Sequence, residues 1–184
     1  MRVTGGKIKG IQLKAPPRRL TRPTTNLTKG AIFSILENVT SYWDCILDLY
    51  AGSGALGIEA LSRGAEWADF VDHSKKCCDT IKYNLDKAGL LAKAHVYCCS
   101  TSKAITFLNN AYDIVFVDPP YSNPSVGSLL TTLSNSELIA ENSTIVVCHA
   151  NRFPLNSNYD ALHLVKRRRY GDTFISIYQK GGNL

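Results

Sequence analysis

The sequence predicts an α/β domain: a mostly parallel, seven-stranded sheet with helices on both faces, an antiparallel hairpin at its carboxyl-terminal edge, and a small basic β-hairpin at the amino end. Three observations carry this. From residue 45 onward, short and nearly continuous apolar runs alternate with helical periodicities, the pattern of parallel strands covered on both sides. The last two strand-like runs, 161–166 and 173–178, are joined through the turn Tyr170-Gly171-Asp172, a connection long enough for a hairpin and too short for a helical crossover. And residues 1–36 carry eight basic residues and no Asp or Glu.

The elements follow in order. Residues 2–20 alternate short apolar and basic residues around Gly5, Gly6 and Gly10, which reads as a hairpin or arm closed by the rigid Pro16-Pro17. From Thr24 to Asn38, Leu27, Ala31, Ile32, Ile35 and Leu36 recur at helical spacing, with Thr24 or Thr25 as cap. Strands are expected at 45–50, 67–72, 95–98, 112–117 and 144–148, with helices at 54–63, 74–88, 102–109 and 125–134 between them. Gly64 and Gly89 end two of the helices. Residues 161–166 and 173–178 make the edge hairpin. With 184 residues the chain suits one domain, 1–184, divided into a basic arm (1–22) and a core (23–184). Right-handed crossovers place ligands at the carboxyl ends of the strands, near the switch in strand order.

Composition narrows the function classes. No apolar run approaches the roughly 20 residues of a bilayer span, and the opening residues lack the apolar stretch of a signal peptide; a cytoplasmic protein is expected. Cys45, Cys77, Cys78, Cys98, Cys99 and Cys148 form no C-x-x-C pair, so free thiols and no metal are expected. The basic residues of the amino end are Arg2, Lys7, Lys9, Lys14, Arg18, Arg19, Arg22 and Lys29, and a second run is Lys166-Arg167-Arg168-Arg169. The other nine basic residues face all 15 acidic ones. Positive ends around an acidic body are the footprint of a polyanion partner. The candidate nucleic-acid contacts are Arg2, Lys7, Lys9, Arg18, Arg19, Arg22, Lys166, Arg167, Arg168 and Arg169.

Two motifs carry chemistry. Asp48-Leu49-Tyr50-Ala51-Gly52-Ser53-Gly54-Ala55-Leu56-Gly57 follows the first strand and opens a helix. Its glycines let the chain turn tightly and approach a ligand, and the helix start supplies free N–H groups. The spelling G-x-G-x-x-G also fits a dinucleotide site. Asp48, however, would repel a pyrophosphate and suits a ligand bearing a cationic amine and a sulfonium. Asp72 ends the second strand, where an acidic residue grips a ribose diol. Asp118-Pro119-Pro120-Tyr121 follows the fourth strand directly. Its prolines stiffen the loop. An aromatic amine is a poor nucleophile; hydrogen bonds to the Asp118 carboxylate and a loop carbonyl, that of Pro119, favour a more tetrahedral nitrogen aimed at a methyl sulfonium. Asp118, or water beside it, takes the proton, and Tyr121 offers a face for a flipped base.

These residues resemble the class I amino methyltransferases, a Rossmann-like fold, and more closely the bacterial ribosomal RNA small-subunit methyltransferase D family. The resemblance runs nearly end to end: the opening Arg2 to Gly10, Thr21-Arg22-Pro23-Thr24 before a helix bearing Phe33, the segment Leu47 to Ala65, the Asp-Pro-Pro-Tyr tetrapeptide, and Arg169-Tyr170-Gly171-Asp172-Thr173. It implies S-adenosylmethionine as cofactor and the exocyclic N2 of a guanine in 16S ribosomal RNA as target, within an assembling or assembled small subunit. It implies Asp118, Pro119, Pro120 and Tyr121 as the catalytic group. It implies a cofactor set of Asp48, Tyr50, Ala51, Gly52, Ser53, Gly54, Gly57, Asp72 and His73, with Thr24 near the methionine end. The family has an acidic or amide residue after strand three where this chain has Cys99-Ser100-Thr101, so a hydroxyl or N–H of Ser100 or Thr101 takes the adenine. It has Glu-His where this chain has Cys148-His149, and His149 is expected to be structural. The alternatives are an adenine-N6 methyltransferase acting on DNA or RNA, a non-catalytic RNA-binding assembly factor, and, more remotely, a nicotinamide-dependent oxidoreductase.

Overall fold

The computed structural model describes residues 1–16, 26–120, 124–151 and 154–181. In chain order the elements are α1 (Asn26–Leu36), β1 (Cys45–Leu49), α2 (Ala55–Arg63), β2 (Trp67–Asp72), α3 (Lys75–Lys87), β3 (Ala94–Cys98), α4 (Thr101–Phe107), β4 (Ile114–Val117), α5 (Val126–Ser134), β5 (Thr144–Ala150), β6 (Asn158–Tyr159), β7 (Leu162–Tyr170) and β8 (Thr173–Lys180). One sheet contains all the strands, in the order β3-β2-β1-β4-β5-β8-β7-β6. β1 to β5 run parallel, and β8, β7 and β6 extend the sheet antiparallel. The doubly wound expectation holds, with one correction: the sheet has eight strands and not seven. The extra strand, β6, is two residues long and pairs Asn158 and Tyr159 with His163 and Leu162, too short to leave a periodic signature. The predicted start of the first helix, Thr24, lies outside the described residues.

Alternation along the strands sorts the core onto two faces. Ile46, Phe70, Ile114 and Phe116 pack with Ile32, Phe33, Ile58 and Ile81 beneath α1, α2 and α3. Leu47, Leu49, Val115 and Val117 pack with Ala104, Leu108, Leu130 and Leu133 beneath α4 and α5. Fully buried aromatic side chains such as Phe116 each contribute about 3–5 kcal/mol against truncation.

The amino-terminal arm is looser in pairing than a hairpin and tighter in packing than an arm. Arg2 and Gln12 form an isolated bridge, and Val3 N–H donates to Ile11 O at 2.9 Å while Gly10 N–H donates to Val3 O at 2.9 Å. No longer ladder forms, because the segment bonds sideways to α2 instead: Lys7 N–H donates to Ser62 O at 2.7 Å and the Ser62 hydroxyl to Gly5 O at 2.6 Å. Val3 and Leu13 enter the core.

A buried carboxylate ties these parts together. Glu59, on α2, accepts hydrogen bonds from Thr4 N–H at 2.9 Å, Thr4 Oγ1 at 2.8 Å and Gly5 N–H at 2.7 Å. It pairs with the Lys29 ammonium of α1 at 2.6 Å and with Arg63 at 3.1 Å. The Lys29 ammonium also donates to Arg2 O at 2.7 Å. Lys29 and Glu59 are both 0% exposed, so Lys29 does not belong to the basic surface that the charge distribution suggests. Burial alone would raise the Glu59 carboxyl, but the Lys29 and Thr4 hydrogen bonds outweigh it and hold the group below its ordinary range. Burial lowers the Lys29 ammonium, against the pull of Glu59.

Glu59→Gln leaves a buried ammonium without its counter-charge and is expected to cost about 3–5 kcal/mol, read as a lower denaturation midpoint. A depressed carboxyl contributes stability above its unfolded value that is lost as pH falls through the folded one. The wild type should therefore lose more stability between about pH 5 and 3 than the variant does; parallel acid-unfolding curves would remove Glu59 from this role.

Candidate functional site at the carboxyl edge of the sheet

Strand order reverses between β1 and β4, and the glycine loop and the aspartate-proline loop leave the sheet there. β1 lies beside β4 in register, Leu49 opposite Val117, so the two loops start from neighbouring positions. Helix α2 begins within the glycine loop. Tyr50, Gly52 and Gly54 have φ of 60°, 58° and 75°, a left-handed path that glycine adopts freely and tyrosine does not. Two bonds secure it: Ala51 N–H to Val71 O at 3.0 Å and Gly54 N–H to Ala51 O at 2.7 Å. Gly57 permits the helix to sit low on the sheet, for a Cβ there would stand 2.4 Å from the Phe70 ring.

Asp48 is 2% exposed and its Oδ2 accepts from Gly57 N–H at 3.0 Å. Burial raises its carboxyl well above the ordinary range, the Gly57 hydrogen bond opposes this, and the charges of Asp118 and Asp72 add to it. Asp72 holds the loop from the other side: Oδ2 accepts from Gly52 N–H at 2.9 Å and Oδ1 from Ser74 N–H at 2.8 Å. His73 is exposed, its Nδ1 3.9 Å from Asp72 Oδ1. The Ser53 hydroxyl points to Met1 Sδ at 3.8 Å, toward the arm. Ser100 caps α4, accepting from Lys103 N–H at 3.3 Å, and Thr101 is buried.

Asn84 was not legible as a site residue, yet it braces the loop. Fully buried on α3, its Nδ2 donates to Ser53 O at 2.9 Å and to Lys14 O at 2.9 Å, while its Oδ1 accepts from Lys14 N–H at 2.8 Å. An asparagine inside a helix has no local signature; its partners are 31 and 70 residues away in sequence.

Asp118 is half-buried and Pro119 buried at the end of β4. Beside them lies a cleft of about 190 Å³ lined by Pro119, Pro120, Val126, His149, Leu155 and Tyr159 among others. His149 Nε2 lies 2.9 Å from Ser176 Oγ, and its ring stacks on Phe174 at 5.7 Å. Cys148 lines the same cleft; burial first, then Asp118 and Asp48, pushes its thiol up. Tyr121 and Thr24, like Arg18, Arg19 and Arg22, lie outside the described residues. All six cysteines are free, and no cluster of three or more potential metal ligands occurs among the described residues.

The basic residues divide. Arg2, Lys7 and Lys9 are exposed. Lys166 to Arg169 lie on β7, so alternate residues face opposite sides of the sheet. Arg167 is half-buried and built in: its Nε donates to Ser176 Oγ at 3.0 Å and its guanidinium to Leu155 O at 2.8 Å. Arg169 donates to Gly171 O at 2.8 Å. The run is therefore not one basic face.

Residues 1–179 match the family described as Conserved hypothetical protein 95. Ribosomal RNA small subunit methyltransferase D of Escherichia coli (strain K12) is 34% identical over 152 residues, 80% of this chain and 73% of that one. The chain belongs to the ribosomal RNA small subunit methyltransferase D family. YlbH of Bacillus subtilis (strain 168) is 37% identical over 99% of this chain and 100% of its own. The solved structure of Escherichia coli yhhF superposes with a TM-score of 0.84 at 26% identity, covering 100% of this chain and 99% of that one. Family membership and the Rossmann-like methyltransferase fold expected from the motifs are thus borne out.

A carboxyl whose folded value is raised contributes stability at low pH and loses it as pH rises through that value. Asp48→Asn keeps an acceptor for Gly57 N–H and removes the buried charge. It is expected to raise the melting temperature of the ligand-free protein at pH 7 by a few degrees, an advantage that fades toward pH 4. An equal or lower melting temperature at pH 7 would show that the carboxylate is compensated in the free protein.

Proposed function

We propose that the chain transfers a methyl group from S-adenosylmethionine to the exocyclic N2 of a guanine in 16S ribosomal RNA, within the assembling or assembled small subunit, and does so in the cytoplasm. The observation that carries the reading is the placement of Asp118 and Pro119 next to the glycine loop, at the point where strand order reverses. The similarity to the ribosomal RNA small subunit methyltransferase D of Escherichia coli supports ribosomal RNA as the substrate class.

The residues fit the cofactor. The left-handed turns at Gly52 and Gly54 bring backbone close without side chains in the way. Each Asp72 oxygen already accepts one backbone N–H, and a carboxylate has about four acceptor sites, which leaves capacity for a ribose diol. The raised Asp48 carboxyl would return toward its ordinary range beside a cationic amine. Ser100, committed to its helix cap, leaves backbone N–H groups to meet the adenine. Bound there, S-adenosylmethionine supplies an electrophilic methyl on sulfur.

The protein's own task is to hold the amine. Asp118 and the Pro119 carbonyl accept its two hydrogens and turn the nitrogen lone pair toward the methyl carbon. As the C–N bond forms and the C–S bond breaks, the surplus amine proton passes to Asp118 or to water beside it. Alignment lowers the barrier because little reorganisation is left at the moment of transfer. The apolar cleft beside Pro119 and Pro120 suits a base taken out of its stack.

The test is methyl transfer from tritiated S-adenosylmethionine to small subunits from cells lacking this gene, with naked ribosomal RNA and duplex DNA alongside. Label is expected in N2-methylguanosine from the ribosomal substrate; label in N6-methyladenine would replace this reading with the adenine one. Asp118→Ala should lower the turnover rate about 10²–10⁴-fold with S-adenosylmethionine affinity little changed. Full activity in that variant would remove Asp118 from the chemistry.

A further inference from the structure

The arm does not lie on the protein as an isolated basic strand; it is welded to α3. Lys14 is held through both its backbone groups by Asn84, and the Lys87 ammonium donates to Gln12 O at 2.9 Å. This brings the Lys14 ammonium to 5.2 Å from the centroid of the Tyr83 ring. Tyr83 is 50% exposed. Lys87, four residues on, and Lys76, seven residues back, lie on the same side of the helix as Tyr83, and Lys82 lies beside it about a third of a turn round; all are exposed. Two carboxylates share the region. Asp79 is paired with Lys75, and Asp86 is exposed.

We propose that this face, Tyr83 with Lys14, Lys82 and Lys87, is a docking platform for unpaired RNA: one base stacks on the Tyr83 ring while the lysines contact the neighbouring phosphates. An exposed aromatic ring interleaved with ammonium groups matches what a single strand presents, a π-face beside regularly spaced negative charge. Asn84 links this face to the site, since the same amide that holds Lys14 holds the Ser53 carbonyl of the glycine loop. A strand on the platform is thus registered against the catalytic edge through one buried side chain. The proposal rests on the ribosomal RNA reading and adds a contact surface to it.

The experiment compares wild type with Tyr83→Ala, Tyr83→Trp and Lys82→Glu in the full-length protein. Methylation kinetics on small subunits are measured together with the affinity for a fluorescent single-stranded RNA oligomer and a duplex of the same sequence. Tyr83→Ala is expected to raise KM and weaken single-strand binding on the order of tenfold, with kcat and S-adenosylmethionine affinity unchanged. Tyr83→Trp should restore both, and Lys82→Glu should flatten the salt dependence of binding. Unchanged KM and RNA affinity in Tyr83→Ala would overturn the platform, as would duplex binding as tight as single-strand binding. The two readouts separate the claims. If the wild type methylates no ribosomal substrate, the enzymatic reading fails, and the RNA affinities still decide for or against Tyr83.

Discussion

The ion pair between Lys29 and Glu59 is the contact on which the amino-terminal half depends. Two opposite charges buried out of water are tolerated only when the geometry is good and the remaining donors and acceptors are satisfied. Here each partner is also held by backbone: Lys29 by Arg2 O, and Glu59 by the Thr4 and Gly5 N–H groups. A charge pair of this kind is a poor source of net stability and a good source of registry, because a shift of one residue in the arm would strand a charge. It sets α1, α2 and the arm in a single arrangement. Helix α2 starts directly after Gly54 of the glycine loop, so fixing α2 at Glu59 also fixes the loop that leads into it.

The loop is then constrained from three directions by groups of different chemistry. Below, Gly57 lets α2 settle onto Phe70, and Asp48 accepts its N–H. On one side Asp72 accepts from Gly52. On the other Asn84 donates to Ser53 O. Each clamp grips backbone and not a side chain, which suits a loop whose work is to present N–H and C=O groups. The two carboxylates carry a cost that the amide does not. Asp48 in particular is an ionisable group in a nearly dry place, close to two others of like charge. Unfavourable charge held in a cleft is a common mark of functional sites, since the ligand and not the protein supplies the compensation.

The sheet was legible because its strands are buried on both faces and read as uninterrupted apolar runs between helical periods. The positions of Gly52, Gly54, Asp72 and Asp118 followed from the motifs read at the strand ends. What escaped is what depends on tertiary contact. β6 has two residues and no pattern. Asn84 looks like any polar residue on a helix. Lys29 was counted as surface charge, because composition reports how many cations there are and not which ones have a buried partner. The run Lys166 to Arg169 seemed a single patch for a similar reason: on a strand, neighbours in sequence point to opposite faces, and Arg167 is spent on Ser176 and Leu155.

These reassignments change where a polyanion can sit. With Lys29 interior and Arg167 built into the sheet, the exposed cations of the arm, Arg2, Lys7, Lys9 and Lys14, continue into those of α3, which the end of the arm touches at Gln12 and Lys14. A small single-sheet protein has little surface to devote to recognition, and the carboxyl edge of this sheet is occupied by a loop that Asp48, Asp72 and Asn84 hold in place. The proposed strand contact lies on a helix one step removed from that loop and is coupled to it through the buried Asn84 amide, an arrangement that would leave the edge stiff while the adjoining face met a flexible partner. Asn84 is the element that makes such a division workable: loss of its side chain would release Lys14 and Ser53 together, so that positioning of the loop and presentation of the basic face would fail in the same variant.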